Sequence, residues 1–251
     1  MLAWFSGCVA RPVHTEDGIL RWDQILKEIR PLGPHRAPTG LIALENTHNM
    51  AGGSVMPLDV TREICDGAHD LGLKVHLDGA RIFNAAMALG VDVKALSADA
   101  DTLTFCLSKG LAAPIGSVVC GDRAFIAEAR RARKVVGGGM RQAGVIAAAG
   151  IVALERMVDR LAEDHANARA LAAGLAEIPG LQVDEVPMRT NIIYFEITRP
   201  EVDAAHLVAR LEESGVRMGA VGRQRIRAVL NYHVTAADVP ATLDVMRAAL
   251  A

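Results

Sequence analysis

Hydrophobic and polar positions change rhythm along this chain, and the changes outline its parts. Leu41–Leu44 is a short apolar run ending in Glu45-Asn46-Thr47, and Lys74–Leu77 is another ending in Asp78-Gly79. Both patterns predict strands. Between them Val60, Ile64, Ala68 and Leu71 recur at helical spacing behind Asp59 and stop at Gly72, which predicts a β-α-β unit with parallel strands. Thr102–Cys106 and Ser117–Cys120 are further strand candidates, the second bounded by Gly116 and Gly121. Asp122 is placed to cap a charged helix running to about Val136. The first half therefore reads as an α/β sheet layer.

Gly137-Gly138-Gly139 breaks the pattern. Arg141 to about Ile178 then reads as one helix, apolar at first and amphipathic later, ended by Pro179-Gly180. Beyond it come a strand at Asn191–Ile197, a helix at Asp203–Ser214 closed by Gly215, a strand at Arg225–Leu230 and a helix at Thr235–Leu250 with Thr235 as N-cap. That is a small α+β unit. With no repeat or low-complexity tract in view, the helical bridge gives a boundary near residue 150, separating a large domain (1–150) from the bridge and small domain (151–251).

Composition narrows the class. The chain has 251 residues, of which 51% are hydrophobic and 22% charged, as in a folded protein rather than a disordered, collagen-like or disulfide-stapled one. Lys+Arg number 27 against 29 Asp+Glu, so no basic excess exists to hold a phosphate backbone, and nucleic acid is not an expected partner. The longest apolar stretch, Val145 to Leu154, falls short of the ~20 residues of a membrane helix, so no membrane partner is expected either. Met1 to Ala10 has no Lys or Arg and makes a poor signal peptide, leaving the cytoplasm as the default compartment. Cys8, Cys65, Cys106 and Cys120 lie far apart with no C-x-x-C pair, which predicts inert thiols and no metal site.

Chemistry concentrates at two strand ends. Ligands of parallel sheets gather at the carboxyl ends of the strands. Asp78 closes Val75-His76-Leu77, and Lys109 follows Thr104-Phe105-Cys106-Leu107-Ser108. Both are predicted to face one crevice. A lysine directly after a buried strand is costly unless neutralised or bonded, and Schiff-base formation resolves that cost. A carboxylate at the neighbouring strand end could then bond a pyridinium nitrogen, so the pair is the minimal kit for a pyridoxal phosphate enzyme. The plainer alternative on pattern alone is that Asp78 caps the next helix and Lys109 extends to solvent.

The wording of four blocks goes further. Leu44-Glu45-Asn46-Thr47-His48-Asn49, His76-Leu77-Asp78-Gly79-Ala80-Arg81-Ile82-Phe83-Asn84, Cys106-Leu107-Ser108-Lys109-Gly110 and Gly137-Gly138-Gly139-Met140-Arg141-Gln142 occur in this order. Together they closely resemble the low-specificity L-threonine aldolases, of the β-eliminating lyase group of fold-type I pyridoxal phosphate enzymes. The resemblance runs from about Gly7 to the end. It implies an α/β fold with a mostly parallel sheet in the large domain and a small α+β C-terminal domain. It also implies pyridoxal 5'-phosphate as cofactor, a small β-hydroxy-α-amino acid as substrate, and a homodimer or homotetramer with the active site at the subunit interface.

By the same resemblance Lys109 is the Schiff-base lysine, Asp78 pairs with the pyridine nitrogen, and Ser108 lies near the phosphate. Arg81 and Arg227 bind the substrate carboxylate. Arg225 is a nearby rival that strand parity does not separate from Arg227, since both fall on one face. His35 matches a histidine near the substrate side chain and is the candidate base, alone or through a water. Lys134 and Arg141, flanking the three glycines, match positions that approach the cofactor phosphate across a subunit interface; without the resemblance Lys134 would be read as part of a solvated helix face. His48 has an equally good structural reading, tying down the loop after its strand.

The implied reaction is retro-aldol cleavage of L-threonine or L-allo-threonine to glycine and acetaldehyde. The rival readings are another pyridoxal phosphate β-eliminating lyase, and a catalytically impaired fragment. Family chains carry an upstream segment with a Gly-Thr phosphate loop and a histidine that stacks on the cofactor ring. This chain opens where the resemblance puts the middle of the large domain, at Gly7 to Val13. The expectation is therefore a gene fragment or a misassigned start, ahead of a natural short form, with weak cofactor binding by the chain as written.

Overall fold

In a computed structural model, which describes residues 2–186, 188 and 190–251, the two halves of the pattern become two separate sheets. The first half contains α1 (Leu2–Ser6), α2 (Trp22–Glu28), β1 (Leu41–Glu45), α3 (Leu58–Asp70), β2 (Lys74–Asp78), α4 (Ile82–Leu89), α5 (Val93–Ser97), β3 (Thr102–Cys106), β4 (Ser117–Cys120) and α6 (Arg123–Val135). The strands line up in chain order, β1, β2 and β3 parallel and β4 antiparallel to β3.

Alternation decides which face of this sheet is covered. Ile42, Leu44, Val75, Leu77 and Leu103 are buried on one face, where Ile64, Cys65 and Ala68 of α3, Ile82 and Ala85 of α4, and Leu96 of α5 complete the core. The opposite face carries Ala43, Lys74, His76 and Asp78 and stays largely open. The β-α-β reading of β1, α3 and β2 is thus observed, with register Leu44 to Leu77 and Glu45 to Asp78. Asp122 caps α6 by accepting the Phe125 N–H, as its position predicts.

The second half contains α7 (Gly144–Arg156), α8 (Leu161–Ala176), β5 (Leu181–Val183), β6 (Ile192–Ile197), α9 (Ala204–Glu213), β7 (Gly219–Ala220), β8 (Arg225–Val229) and α10 (Asp238–Leu250). Its antiparallel sheet has the order β5-β6-β8-β7. Helices α8, α9 and α10 cover it, and Leu171, Leu175, Ile193, Phe195, Leu207, Ile226 and Met246 form a second core.

Two expectations change in detail. The single helix expected from Arg141 to Ile178 is two: α7 ends at a C-cap on Met157, and α8 starts at Leu161. No glycine or proline marks that break. Thr235 is not the N-cap of α10, which is Ala237; instead the Asp238 carboxylate accepts from both the N–H and the hydroxyl of Thr235. That is the capping bond with its direction reversed.

Candidate active site

The strand ends deliver side chains to one region, and two glycines make room for them. Asp78 is the last residue of β2, level with Glu45 on β1 and Thr104 on β3, and alternation points it to the open face. Its Oδ1 accepts the Ala80 N–H at 3.0 Å. Since the N-cap of α4 is Arg81, Asp78 does not cap that helix. At Gly79 the main chain runs so close to β3 that an added Cβ would lie 2.7 Å from Leu103 and 3.0 Å from the Thr104 carbonyl. Beyond β3 the chain turns tightly, with the Ala112 N–H donating to the Lys109 carbonyl at 2.9 Å. A Cβ on Gly110 would lie 2.8 Å from Leu161 and 3.1 Å from the Asn84 side-chain oxygen, so glycine lets the lysine loop settle on α4 and α8.

Lys109 and Ser108 open onto a cavity of about 490 Å³. Arg81, Asn191, Asn231, Tyr232 and His233 line it too. Among the described residues the Lys109 ammonium has no hydrogen bond or ion pair. Behind the loop, buried Asn84 donates from Nδ2 to Nε2 of buried His165 at 3.0 Å, which leaves the ring proton on Nδ1. Burial, helped by the Arg169 charge, pushes the His165 imidazole down to about 4. It is a neutral strut between the two halves.

The arginines carry the clearest signal. Arg81, only 9% exposed, donates from Nη1 to Oδ1 of Asn49 at 3.4 Å, and Arg227 donates from Nη2 to the same oxygen at 2.6 Å. Both Nε atoms are buried and have no partner among the described residues. Burial and then the Arg227 charge lower the Arg81 pKa, so the two cations repel across a neutral amide. Buried donors without acceptors are costly, and a planar anion with two oxygens is the ligand that relieves both the repulsion and the unmet donors. Arg225 has no such vacancy. It pairs with Asp184 and with Glu196, the latter at 2.9 Å, and stacks 5.0 Å over the Tyr194 ring. Although burial alone would lower its pKa, those carboxylates hold it above the ordinary value.

The other expected residues fall outside the cavity. Lys134, in the last turn of α6, is exposed and packs along Gly139, and Arg141 is exposed just before α7. His35 is exposed in a turn closed by a bridge between Gly33 and Arg36. His48 accepts the Ala51 N–H on Nδ1 at 3.2 Å, with Nε2 3.6 Å from Glu45, so it ties down the loop after β1. One chain therefore brings together Arg81, Ser108, Lys109 and, through Asn49, Arg227. Asp78 stands at the adjacent strand end outside the cavity lining, and His35, Lys134 and Arg141 are not gathered there. Sequence reasoning gave no role to Asn49, Asn191, Tyr232 or His233. Only Asn49 had a signal, its place at the end of the first of the four blocks.

Comparison with known proteins identifies the family. Residues 1–198 match the beta-eliminating lyase family. The chain is 41% identical over 240 residues to low-specificity L-threonine aldolase 1 of Arabidopsis thaliana, covering 94% of this chain and 67% of that one. It is 42% identical over 204 residues to the low specificity L-threonine aldolase of Escherichia coli strain K12, covering 81% of this chain and 59% of that one. The structure of a Leishmania major threonine aldolase superposes with a TM-score of 0.73 at 19% identity, over 94% of this chain and 69% of that chain. The α/β fold is shared with that protein. The chain spans about two thirds or less of the length of the curated relatives it matches.

Proposed function

The chain belongs to the beta-eliminating lyase family, and from that membership we propose that it acts as a pyridoxal-phosphate-dependent carbon–carbon lyase, cleaving L-threonine and L-allo-threonine to glycine and acetaldehyde. The named relatives support the substrate class. The observation that carries the reading is that Arg81, which shares a cavity with Lys109, meets Arg227 at the Asn49 amide, each arginine with a buried Nε unmet among the described residues. An α-amino acid presents a carboxylate for the arginines and an amine for the Lys109 side of the cavity.

The residues present fit pyridoxal phosphate. Lys109 offers an amine without a partner, Asp78 has one carboxylate oxygen on the Ala80 N–H and the other uncommitted among the described residues, and Ser108 offers a hydroxyl in the same cavity. When bound, the cofactor supplies an electron sink for the pair released as the Cα–Cβ bond breaks. Arg81 and Arg227 hold the substrate carboxylate and thereby fix the rotation about Cα, which selects the bond to be broken. Asp78 would keep a proton on the cofactor's ring nitrogen through a charge-assisted bond. Lys109 would hold the cofactor through its amine and, when free of it, could carry a proton. The β-hydroxyl proton must leave to a base for the C–O bond to become the carbonyl of acetaldehyde, and a proton returned to Cα completes glycine; His35, the base expected from the sequence, is exposed outside the cavity.

In this reading residues 1–150 belong to the cofactor-binding domain and 151–251 form the bridge and small domain. A second copy of the chain covers the surface of α6 and the start of α7, with Lys134 and Arg141 reaching the partner's cofactor phosphate. The support is that α6 buries no side chain and that Val135, Met140, Val145 and Ile151 are all exposed. Four free cysteines suit the reducing cytoplasm, and no helix among the described residues is long and apolar enough to cross a membrane.

Product analysis tests the proposal. With added pyridoxal phosphate, L-threonine should yield acetaldehyde and glycine in equal amounts. Pyruvate and ammonia from L-serine, without acetaldehyde from threonine, would replace the aldolase by another β-eliminating lyase. Bound cofactor with no product from either substrate would support a catalytically impaired chain.

A further inference from the structure

Asn191 is a buried amide with half of its hydrogen bonding unmet. It is 1% exposed and stands just before β6. Its main-chain carbonyl accepts the Leu230 N–H at 2.9 Å, and its Nδ2 donates to the Leu230 carbonyl at 2.9 Å. The preceding Thr190 hydroxyl donates to the Gly53 carbonyl at 2.9 Å. Three bonds thus fix the backbone and the side-chain rotamer. They also fix which way the amide faces, because a carbonyl can only accept and the atom facing Leu230 must be the NH₂. Oδ1 is consequently buried with no donor among the described residues, and Asn191 is one of the residues lining the cavity of Lys109 and Arg81.

We propose that Asn191 is a substrate-binding residue whose Oδ1 accepts a hydrogen bond from the β-hydroxyl of the amino acid, so that it sets the preference for β-hydroxy substrates. The inference rests on the function proposed above. A β-hydroxy-α-amino acid has three polar groups, and the cavity wall has three kinds of site for them. The carboxylate has only acceptors and matches Arg81, which lines the cavity, with Arg227 joined to it through Asn49. The amine matches the side of the cavity that Lys109 lines. The hydroxyl is the donor that remains, and Oδ1 of Asn191 is the buried acceptor that remains. A neutral amide suits this role, since it orients the hydroxyl without adding a negative charge beside the carboxylate.

The test is calorimetric binding of L-serine and L-alanine, which differ by the hydroxyl alone, to the protein loaded with pyridoxal phosphate. The wild type should bind serine about tenfold more tightly than alanine, because alanine leaves a buried acceptor unpaired. Asn191→Ala should weaken serine binding until the two ligands are equal, with alanine affinity unchanged. Asn191→Thr, which keeps a hydroxyl able to donate to Leu230, should give the same loss of preference and serves if the alanine variant does not fold. Equal losses for both ligands would mark Asn191 as structural, and a wild type that binds serine no better than alanine would refute the assignment without any variant. A wild type that binds neither ligand would count against the aldolase reading itself, and this inference would fall with it.

Discussion

Replacing Arg227 by Met and, separately, Arg225 by Met should produce opposite phenotypes, although the two arginines lie on the same face of one short strand. Among the described residues Arg227 has one hydrogen bond, to a neutral amide, and an unmet Nε. Its charge also acts against that of Arg81. Removing it deletes a charge-assisted bond to the substrate carboxylate worth about 1.5–3 kcal/mol, or roughly a 10- to 150-fold rise in KM for threonine. Because the repulsion with Arg81 disappears as well, Tm should not fall. Arg225 instead binds Asp184, Glu196 and the Tyr194 ring at a partly exposed position. Losing two such pairs costs about 1 kcal/mol, roughly 2–4 °C in Tm for a chain of this size, with KM nearly unchanged. Steady-state kinetics and thermal melts on the two variants separate the cases. A raised KM in Arg225→Met, or a lowered Tm with normal KM in Arg227→Met, would show that the carboxylate site has been assigned to the wrong residue.

Other outcomes follow from the same geometry. Borohydride reduction in the presence of pyridoxal phosphate should attach the label to Lys109, and a label on Lys74, Lys94 or Lys134 instead would move the site. Asp78→Asn keeps the bond to the Ala80 N–H and should leave folding intact while lowering turnover by about two orders of magnitude or more; a near-normal rate would leave Asp78 only its local turn bond. His165, held down to about 4 by burial, contributes stability that is complete above the ordinary histidine range and is lost as pH falls from about 6.5 towards 4, since the unfolded chain takes up the proton first. His165→Gln should flatten that part of the stability profile in denaturant titrations. His35→Asn should abolish most turnover if His35 is the base, whereas a loss confined to His233→Asn would transfer the role to the histidine that lines the cavity.

How much of this was legible from the amino-acid order depended on whether a local signal existed. Strands β1, β2 and β3 are apolar runs bounded by polar turns, so they could be read directly, and Asp122 announced its helix. Strands β5 and β7, three and two residues long, are too short for alternation to register. The break between α7 and α8 has no helix-breaking residue, because Met157 to Arg160 continue the composition of the helices on either side. Asp78 and Lys109 stood out as charges at strand ends, and Arg81 through the resemblance of its block. Arg225 and Arg227 could not be told apart by parity; the difference lies in Asp184 and Glu196, which reach Arg225 from β6 and the segment before it. Asn191 gave no signal, since an amide at a strand start becomes informative only once its partner Leu230 is known to use up one end of it.

Asn49 has one more consequence. An aspartate between Arg81 and Arg227 would neutralise them internally, and substrate would have to displace a tethered carboxylate. The neutral amide leaves the pair as a small anion exchanger whose counterion comes from solution. If these arginines take the substrate carboxylate, chloride, phosphate or acetate in the medium should compete for the same two guanidinium groups. A Michaelis constant measured for threonine would then depend on the buffer as well as on the side chains.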